Sequence, residues 1–485
     1  MIIKSNNSRS LCGKMRRNLS AFSSFPPEFF GNVYRSFVKA SSWTIENFFA
    51  IIHNYSMTKK VAILLILFLF SAALLYSQGE NLTLKIAVVG PGSELYFWWG
   101  HIALVIEDSR TGINRFYDYG IFSFDNENFF YNFAVGRLLY SCGVSPEDLN
   151  IDVYRRTNRS VVYYTLDLPP RTRLKVMEFA ERNIRPENRD YFYHHFDDNC
   201  STRIRDIIDL ATDGQFKEKY SNETSRFTLR NHVRRHTWFS PPVDWALNFW
   251  MGQGIDTPIT VWDDMFLPAE VGKRIEDFVY TDKNGVSRKL VKSKETIFES
   301  QGRPAVLDAP RKQWPYQLVF SLVLSAVFGL FFYLHSKKIR AGKILAGISM
   351  SLCGLVFGLA ALLLYFMSLF TNHDYTYHNA NMIFASPLLL AAVPLGICYA
   401  LTKETDKQIT YDFWLRLLWL VTVIGIFISM FIKLLPWFYQ DNLTDQMLML
   451  PIALVFTFQP AGLRSVIEKY FNKKKKIIKG KKKHG

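Results

Sequence analysis

Cysteine is scarce in this sequence. There are five cysteines in 485 residues, too few and too scattered for the disulfide framework of a small secreted scaffold. Cys142 and Cys200 could in principle pair in an oxidising compartment, but a sparse, odd-numbered set is more typical of free thiols. The sequence also lacks a nucleic-acid-binding motif and a repeat of solenoid length. These absences exclude a disulfide-rich scaffold, a repeat array and, despite a net charge of +16, a nucleic-acid partner.

The excess positive charge is concentrated in particular parts of the chain. Much of it lies in the N-terminal extension, in short loops between apolar runs, and in a tail with lysine clusters at 473–476 and 481–483. Membrane proteins retain Lys and Arg on their cytoplasmic side, where these residues also attract anionic headgroups. The charge distribution therefore predicts a membrane partner.

The N-terminal region resembles an export signal preceded by unrelated sequence. Residues 1–56 show no clear period, whereas residues 57–78 combine a short basic region, an apolar core and a small polar exit. We expect Met57 to be the physiological start, the extension before it to be an artefact of start-site choice, and cleavage to occur near Gln78. The alternative is an uncleaved signal anchor. In both cases the domain after the signal is exported.

Residues 80–300 are predicted to form one exported α+β domain. Strands are expected at 84–89, 101–107, 114–119 and 161–168, and helices at 125–135, at 172–183 and from Cys200 onward. The turn at 108–112 makes the second and third strands a hairpin. The Pro- and Gly-containing stretch 292–315 is interpreted as a linker, and 301–316 is assigned as the linker between the two domains.

Residues 317–463 are predicted to form an all-α membrane domain of about five helices. Apolar runs cover 317–335, 343–370, 382–401, 412–433 and 445–459, of which the last is marginal in length. The loop after the first run contains Lys337 and Lys338 and should be cytoplasmic, whereas the loop at 371–381 has no Lys or Arg and should face outward. This topology places the polybasic tail, 464–485, in the cytoplasm.

Cys200 and His101 have the surroundings expected of a thiol active site. Asp198 and Asn199 are good helix N-caps, so Cys200 falls in the first turn, where unpaired N–H groups favour a thiolate. His101 follows Gly100 at the start of a predicted strand. A Cys–His pair supplies a nucleophile and a base if the fold brings the two together, although either residue alone is more often structural.

Two histidine groups invite a metal interpretation, which we do not favour. In the run from His194 to Asp198, neighbouring side chains diverge and no second Cys/His cluster accompanies them. His232 and His236 have the i,i+4 spacing of a zinc-protease motif but lack its glutamate, and they are predicted to be surface residues. No metal and no cofactor are predicted.

Two further groups have more than one interpretation. Phe129, Phe130 and Phe133 are predicted to be core residues, with contact to lipid at the bilayer surface as the alternative. Arg203 is predicted to form an i,i+3 pair with Asp206, with contact to a phospholipid phosphate as the alternative.

Three stretches resemble the Lnb-type bacterial lipoprotein N-acyltransferase family: residues 99–104 (WGHIAL), 116–122 (FYDYGIF) and 199–206 (NCSTRIRD). The loop from His373 to Asn381, followed by Pro387 and Leu388, is similar to that family's His/Asn loop and Pro-Leu span. The resemblance implies a circularly permuted papain-like thiol fold, as in NlpC-type peptidases and lecithin:retinol acyltransferase, where the His precedes the Cys.

The resemblance also implies roles for individual residues. Cys200 is expected to be the nucleophile and His101 its base. Asp118 is expected to orient the imidazole, although the family often has Asn there and a plain edge residue is equally open. Substrate contacts are expected at Arg203, Tyr119, His373, Asn379 and Asn381. The loop that carries the last three residues either lines the substrate entrance or is simply solvated.

The implied activity is acyl transfer at the bacterial inner membrane, with the catalytic domain on its periplasmic face. A phospholipid is the expected acyl donor, and the N-terminal amine of a diacylglyceryl-cysteine lipoprotein is the acceptor, with a Cys thioester between them. The membrane spans favour this activity because a cell-wall peptidase needs no such anchor. The alternatives are an NlpC-type peptidase or amidase acting on peptidoglycan, and a non-enzymatic membrane module.

Overall fold

The computed structural model describes residues 61–66, 79–122, 128–435, 437–459 and 468–472. The chain divides into two units, Met1–Ser77 and Gln78–Gly485. In the first unit, residues 61–66, inside the predicted signal, are helical. The predictions for 1–56, for the signal exit near Gln78 and for most of the tail lie outside the described residues. The second unit contains both predicted domains.

An antiparallel sheet of seven strands forms the centre of the first domain. The strands are β1 (Leu82–Val89), β2 (His101–Asp108), β3 (Ile113–Ile121), β4 (Leu138–Pro146), β5 (Val161–Leu166), β6 (Asp190–Tyr193) and β9 (Val291–Phe298). Their order across the sheet is β6-β4-β3-β2-β1-β5-β9. A separate hairpin pairs β7 (Val279–Thr281) with β8 (Ser287–Lys289).

The helices of this domain lie on both faces of the sheet and at its margins. They are α1 (Phe129–Ala134), α2 (Glu147–Arg156), α3 (Pro170–Asn183), α4 (Cys200–Ala211), α5 (Gln215–Ser221), α6 (Leu229–Thr237), α7 (Pro241–Trp250), α8 (Val261–Asp264) and α9 (Pro268–Glu276). One core joins α3 and α4 to the sheet, and a smaller core on other residues of the same strands includes α2. The central strand β2 is buried on both faces, which explains its unbroken apolar run at 102–106.

The predicted hairpin is confirmed, because β2 pairs with β3 across the turn that ends at Gly112. The interpretation of 292–315 as a linker is wrong for its first part, because β9 pairs with β5 at the sheet edge. Most β9 side chains are polar and exposed. An edge strand of this kind gives no apolar signal, so it resembles a linker in sequence.

The prediction that the aromatic residues of α1 belong to the core is wrong. Phe130 and Phe133 are exposed, because α1 is a short helix at the margin of the sheet rather than a layer over it. Residues 123–127, at the start of the predicted 125–135 helix, lie outside the described residues.

The second domain is a bundle of apolar helices. They are α10 (Trp314–Ser336), α11 (Arg340–Phe370), α12 (Ala392–Leu401), α13 (Thr405–Ile432) and α14 (Leu443–Thr457). By length and composition α10, α11 and α13 are able to cross a membrane, and α14 is a shorter apolar helix. The third predicted span, 382–401, is shorter than expected. Its helical part begins at Pro387 as a 3₁₀ turn that leads into α12, because Pro387 favours the first turn of a helix.

The two domains are joined by direct packing. The side chain of Phe249, at the end of α7, is fully buried in the apolar cluster of the membrane helices. Trp250 donates from Nε1 to the backbone carbonyl of Ala360 within α11, at 3.1 Å. The sheet domain is therefore held against the bundle by its own helix and not only by the connecting chain.

We predict that Phe249→Ala destabilises the full-length protein. Removing a buried phenyl group costs about 3–5 kcal/mol in a packed core, so the thermal unfolding temperature in detergent should fall clearly below that of the unaltered protein. Phe239→Ala is the control, because that ring is partly exposed. Equal unfolding temperatures for the two variants would contradict the packed interface.

Candidate functional site

The N-terminus of α4 is fixed by Asn199, as predicted. Its side-chain oxygen accepts hydrogen bonds from the N–H groups of Ser201 and Thr202, at 2.7 and 3.0 Å, and its own N–H donates to Thr202 Oγ1 at 2.8 Å. This capping box makes Cys200 the first residue of the helix. The backbone N–H groups of Ser201 and Thr202 are therefore satisfied, and within the described residues the Cys200 N–H is left without an acceptor.

The amide nitrogen of Asn199 ties the same point to two other segments. It donates to the carbonyl of His195 at 2.8 Å and to that of Phe266 at 3.1 Å. Beyond the cap, the buried residues Ile204 and Ile208 face the sheet core. The nucleophile candidate therefore stands on a helix whose start and inner face are both immobilised.

Two glycines allow His101 to occupy its position. Gly100 has φ +83°, and a Cβ there would lie 2.7 Å from the carbonyl oxygen of Val89. A Cβ on Gly120, across the hairpin, would lie 2.7 Å from Cε1 of the imidazole. Steric clashes thus explain why glycine, and not a residue with a side chain, is needed at these two positions.

The structure brings Cys200, His101 and Asp118 together. His101 Nε2 lies 3.0 Å from Asp118 Oδ1, although the ring N–H is not aligned with this oxygen, and the contact is an ion pair rather than a good hydrogen bond. Asp118 Oδ1 also accepts from the Gly120 N–H at 2.6 Å. The Cys200 sulfur lies close enough to the imidazole to raise its pKa, and Cys200 remains partly exposed.

Charge pairing at this site outweighs burial. Burial lowers the pKa of His101, but the Asp118 carboxylate and the Cys200 sulfur raise it by more than burial lowers it. The resulting pKa is about 10. Burial would raise the pKa of Asp118, but His101 and the Gly120 N–H hold it below the ordinary value. The imidazole is therefore protonated at neutral pH, flanked by the carboxylate on one side and the sulfur on the other.

The structure places Tyr119 in the core, contrary to the expected substrate contact. Its side chain is buried, and its hydroxyl accepts from Asn183 Nδ2 at 2.8 Å. Alternation along β3 explains this, because Asp118 and Tyr119 point to opposite faces of the sheet.

Arg203 pairs with Asp198 and not with Asp206 as predicted. Its Nε and Nη2 contact the two oxygens of Asp198 at 2.5 and 2.7 Å, and its guanidinium lies over the ring of Tyr191. Asp206 pairs with Arg205 instead. A phosphate could therefore contact Arg203 only in competition with the two carboxylate oxygens of Asp198.

Asn379 and Asn381 are buried, so they neither line an open entrance nor contact solvent. Both side-chain amides donate to the carbonyl of Phe249, at 3.0 and 2.9 Å. Asn381 also donates to Asp445 at 3.1 Å, and Asn248 donates to the same carboxylate oxygen at 3.0 Å. These asparagines hold the membrane loop against the end of α7, and the expected substrate contact does not fit their positions.

His373 is also buried within this loop. Its Nε2 lies 3.1 Å from the carbonyl of Phe133, and its Nδ1 lies 2.8 Å from the hydroxyl of Tyr375. The neighbouring Asp374 pairs with His194 at 2.9 Å. The loop therefore packs directly under the segment that leads into Cys200.

The other histidines have structural contacts. His194 turns to Asp374, whereas the ring of His195 lies against the rings of Tyr193 and Tyr375. Within the described ranges, no group of three or more His, Cys, Asp or Glu side chains has the arrangement of a metal site.

The prediction that His232 and His236 are surface residues is wrong. Both are buried, His232 Nε2 pairs with Asp264 at 2.7 Å, and His236 Nδ1 contacts the carbonyl of His232. The i,i+4 spacing that suggested a metal motif instead reflects one buried face of α6.

Three residues near the thiol escaped the sequence analysis. Tyr140, Tyr193 and the buried Arg159 all lie within electrostatic reach of Cys200. Tyr140 and Tyr193 belong to β4 and β6, strands that were not predicted. Arg159 has no neighbouring motif, and only the folded sheet brings it close.

Comparison with protein families matches both parts of the chain. The profile of the Lnb N-terminal periplasmic domain covers residues 71–235, and that of the Lnb transmembrane domain covers residues 314–459. No curated protein and no solved structure matches the chain. The two profiles agree with the observed order, a periplasmic domain of sheet and helices followed by a helical membrane domain. They confirm the family resemblance and indicate a lipoprotein-related function at a membrane. The chain belongs to the Lnb family.

Proposed function

We propose that this protein is a thiol acyltransferase that moves an acyl chain from a phospholipid to the N-terminal amine of diacylglyceryl-cysteine lipoproteins. The observation that carries the proposal is a Cys200–His101–Asp118 group in a domain packed directly on membrane helices. A phospholipid ester is available only at a bilayer, so an enzyme that uses it must keep its nucleophile close to one.

The first half-reaction forms a thioester. The Cys200 thiolate attacks the ester carbonyl of the donor, a C–S bond forms, and the acyl C–O bond breaks. His101, which holds the proton taken from the thiol, returns it to the departing lysophospholipid oxygen. Asp118 orients the imidazole and stabilises its positive charge until the proton is transferred.

The second half-reaction regenerates the enzyme. The lipoprotein amine attacks the thioester carbonyl, the amide bond forms, and the C–S bond breaks to release the Cys200 thiolate. His101 accepts the proton lost by the amine, which restores the starting charge state. No cofactor is required for either half-reaction.

The oxyanion formed in both steps needs a preorganised donor. The Cys200 N–H is suited to this role because Asn199 already occupies the next two N–H groups of the helix. An oxyanion there would also benefit from the positive end of the α4 dipole.

The chain order supports a circularly permuted papain-like fold for the exported domain. His101 begins a central strand, Asp118 lies on its hairpin partner, and Cys200 starts a later helix that packs on the same sheet. We propose domain limits of 57–78 for the signal, 80–300 for the exported domain, 301–316 for the linker, 317–463 for the membrane domain and 464–485 for the tail.

We predict a trapped acyl-enzyme when donor is present and acceptor is absent. Incubation with phospholipid labelled in its acyl chain should leave label on Cys200 that neutral hydroxylamine releases, because hydroxylamine cleaves thioesters. Cys200→Ala should abolish labelling and turnover, and Cys200→Ser should retain a stable ester, because an alkoxide leaves less readily than a thiolate. His101→Ala should slow acylation by about 10² to 10⁴.

Cys142→Ala is the control for this labelling, because Cys142 is a second free thiol of the same domain and lies in its core. Normal turnover by Cys200→Ala would falsify the mechanism. Cleavage of peptidoglycan peptides by the purified protein, without any acyl labelling, would instead support the thiol peptidase.

We predict a pH dependence set by the charged imidazole. The pKa of His101 is raised from 6.5 to about 10, so its pairing stabilises the fold fully below about pH 6.5 and is lost as the pH rises through about 10. The basic limb of kcat/KM should therefore lie near pH 10. Asp118→Asn should lower the pKa of His101 and move this limb to lower pH.

Asp152→Asn, a change at an exposed carboxylate on α2, should leave the limb in place. An unchanged limb in Asp118→Asn would show that another group sets the His101 charge.

We predict that the sheet domain and the loop at 371–381 lie on the periplasmic side of the inner membrane, because Asp374 contacts His194 of that domain. A topology reporter fused after Asp374 should read as exported, and reporters fused after Lys337 and Lys403 should read as cytoplasmic. A cytoplasmic reading at Asp374 would contradict the periplasmic position of the sheet domain and of this loop. It would also contradict the prediction that the C-terminus is cytoplasmic.

A further inference from the structure

The short helix α1 presents aromatic side chains to the outside of the molecule. Phe130, Tyr131 and Phe133 are 75, 65 and 52% exposed, and the helix, Phe129–Ala134, contains no charged residue. Exposed apolar clusters of this kind mark binding surfaces rather than ordinary protein surface. These rings therefore need an apolar partner.

The position of α1 points to lipid. The Asn372 N–H, two residues beyond the end of α11, donates to the carbonyl of Val135 at 2.9 Å. Gly136 leaves room for this contact, since a Cβ there would lie 2.8 Å from the Asn372 carbonyl carbon. Leu369 and Phe370, in the last turn of α11, are themselves exposed. The aromatic face of α1 therefore adjoins the exposed last turn of a membrane helix. Aromatic residues are enriched where the ends of membrane helices meet the headgroups.

A line of aromatic rings leads from α1 to the thiol. The rings of Phe129 and Phe122 are 6.3 Å apart, those of Phe122 and Tyr140 are 5.0 Å apart, and those of Tyr140 and Tyr193 are 4.2 Å apart. All four side chains are partly exposed. Tyr193 immediately precedes His194, which forms a bridge with Asp198, two residues before Cys200, so the line of rings ends beside the segment that carries the thiol. We call these residues, together with Phe130 and Phe133, the aromatic band.

We propose that the aromatic band is the path by which an acyl chain of an outer-leaflet phospholipid leaves the bilayer and reaches Cys200. The proposal rests on the proposed acyl transfer, and it identifies where the donor lies. α1 sits in the interfacial region, the chain lies across Phe129 and Phe122, and Tyr140 and Tyr193 flank the ester at the thiol. Flat rings suit this purpose because they cover a flexible chain without demanding one conformation.

The band also separates two roles within the protein. The buried asparagines of the membrane loop hold the sheet domain in place, whereas the exposed rings of α1 contact the substrate. The aromatic residues of α1, which were expected to form core, therefore bind the substrate. Asn379 and Asn381, which were expected to bind the substrate, instead attach the sheet domain to the membrane helices.

The first test is photo-cross-linking of full-length Cys200→Ala protein. The protein is reconstituted in vesicles of phosphatidylethanolamine and phosphatidylglycerol, with a small fraction of phosphatidylethanolamine carrying a diazirine in one acyl chain. We expect label on the peptides that contain Phe130 and Tyr140, as well as on the membrane helices. Label confined to residues 314–459 would overturn the proposal.

The second test changes the band itself. Phe130→Ser combined with Phe133→Ser should raise KM for the phospholipid, expressed as mole fraction in mixed micelles, by about tenfold or more. The kcat at saturating donor and the unfolding temperature should not change. Leu149→Ser is the control, because Leu149 is similarly exposed at 53% but lies on α2, and it should leave KM unchanged. An unchanged KM in the double variant would refute the path.

A third comparison separates the ring from its hydroxyl. Tyr140→Phe keeps the aromatic surface and should keep the cross-links, whereas Tyr140→Ser removes that surface and should lose the label near Cys200. Equal labelling in the two variants would contradict a role for the ring.

The two proposals fail in different ways. If the protein transfers no acyl chain, the thioester on Cys200 will be absent, but cross-links along the band will persist in Cys200→Ala. If the path is wrong, the thioester will form while the cross-links remain in the membrane helices.

Discussion

The side chain of Asn199 is the contact on which the candidate site depends. One amide caps α4, reaches back to the carbonyl of His195 and reaches across to that of Phe266. The start of α4, the carbonyl of His195 and the carbonyl of Phe266 are thereby all tied to the residue that precedes Cys200. The opposite half of the site depends on two close approaches, because Gly100 packs against the carbonyl of Val89 and Gly120 makes room for the imidazole of His101. Because the backbone on both sides is fixed in this way, the side chains of Cys200, His101 and Asp118 are held close together.

The same segment is supported from the membrane side. The loop at 371–381 buries His373, Asn379 and Asn381 between the bundle and the sheet domain, and its Asp374 reaches His194. Buried polar side chains require partners, and here each finds one in the other domain. The candidate site and the membrane helices are therefore joined by one continuous set of contacts.

The residues proposed for catalysis could be found from sequence because their signals are local. A cap before Cys200, a glycine before His101 and a turn that pairs two strands each act over a few residues, and together they bring Asp118 beside the imidazole. The partners of Arg203, Asn379 and Asn381 are set by tertiary packing, so sequence could not choose between solvent, substrate and a buried carbonyl. The edge strand β9 was missed for the opposite reason, since its exposed polar side chains carry no pattern of burial.

One contact limits how freely the two domains could be recombined. The carbonyl of Phe249 receives the amides of two membrane-loop asparagines, while the phenyl ring of the same residue fills a space among the spans. A sheet domain transplanted onto an unrelated membrane anchor would lose both the asparagine hydrogen bonds and the apolar space that receives the phenyl ring. The periplasmic and transmembrane parts therefore depend on each other, and a chimaera would have to exchange the end of α7 together with the loop that receives it.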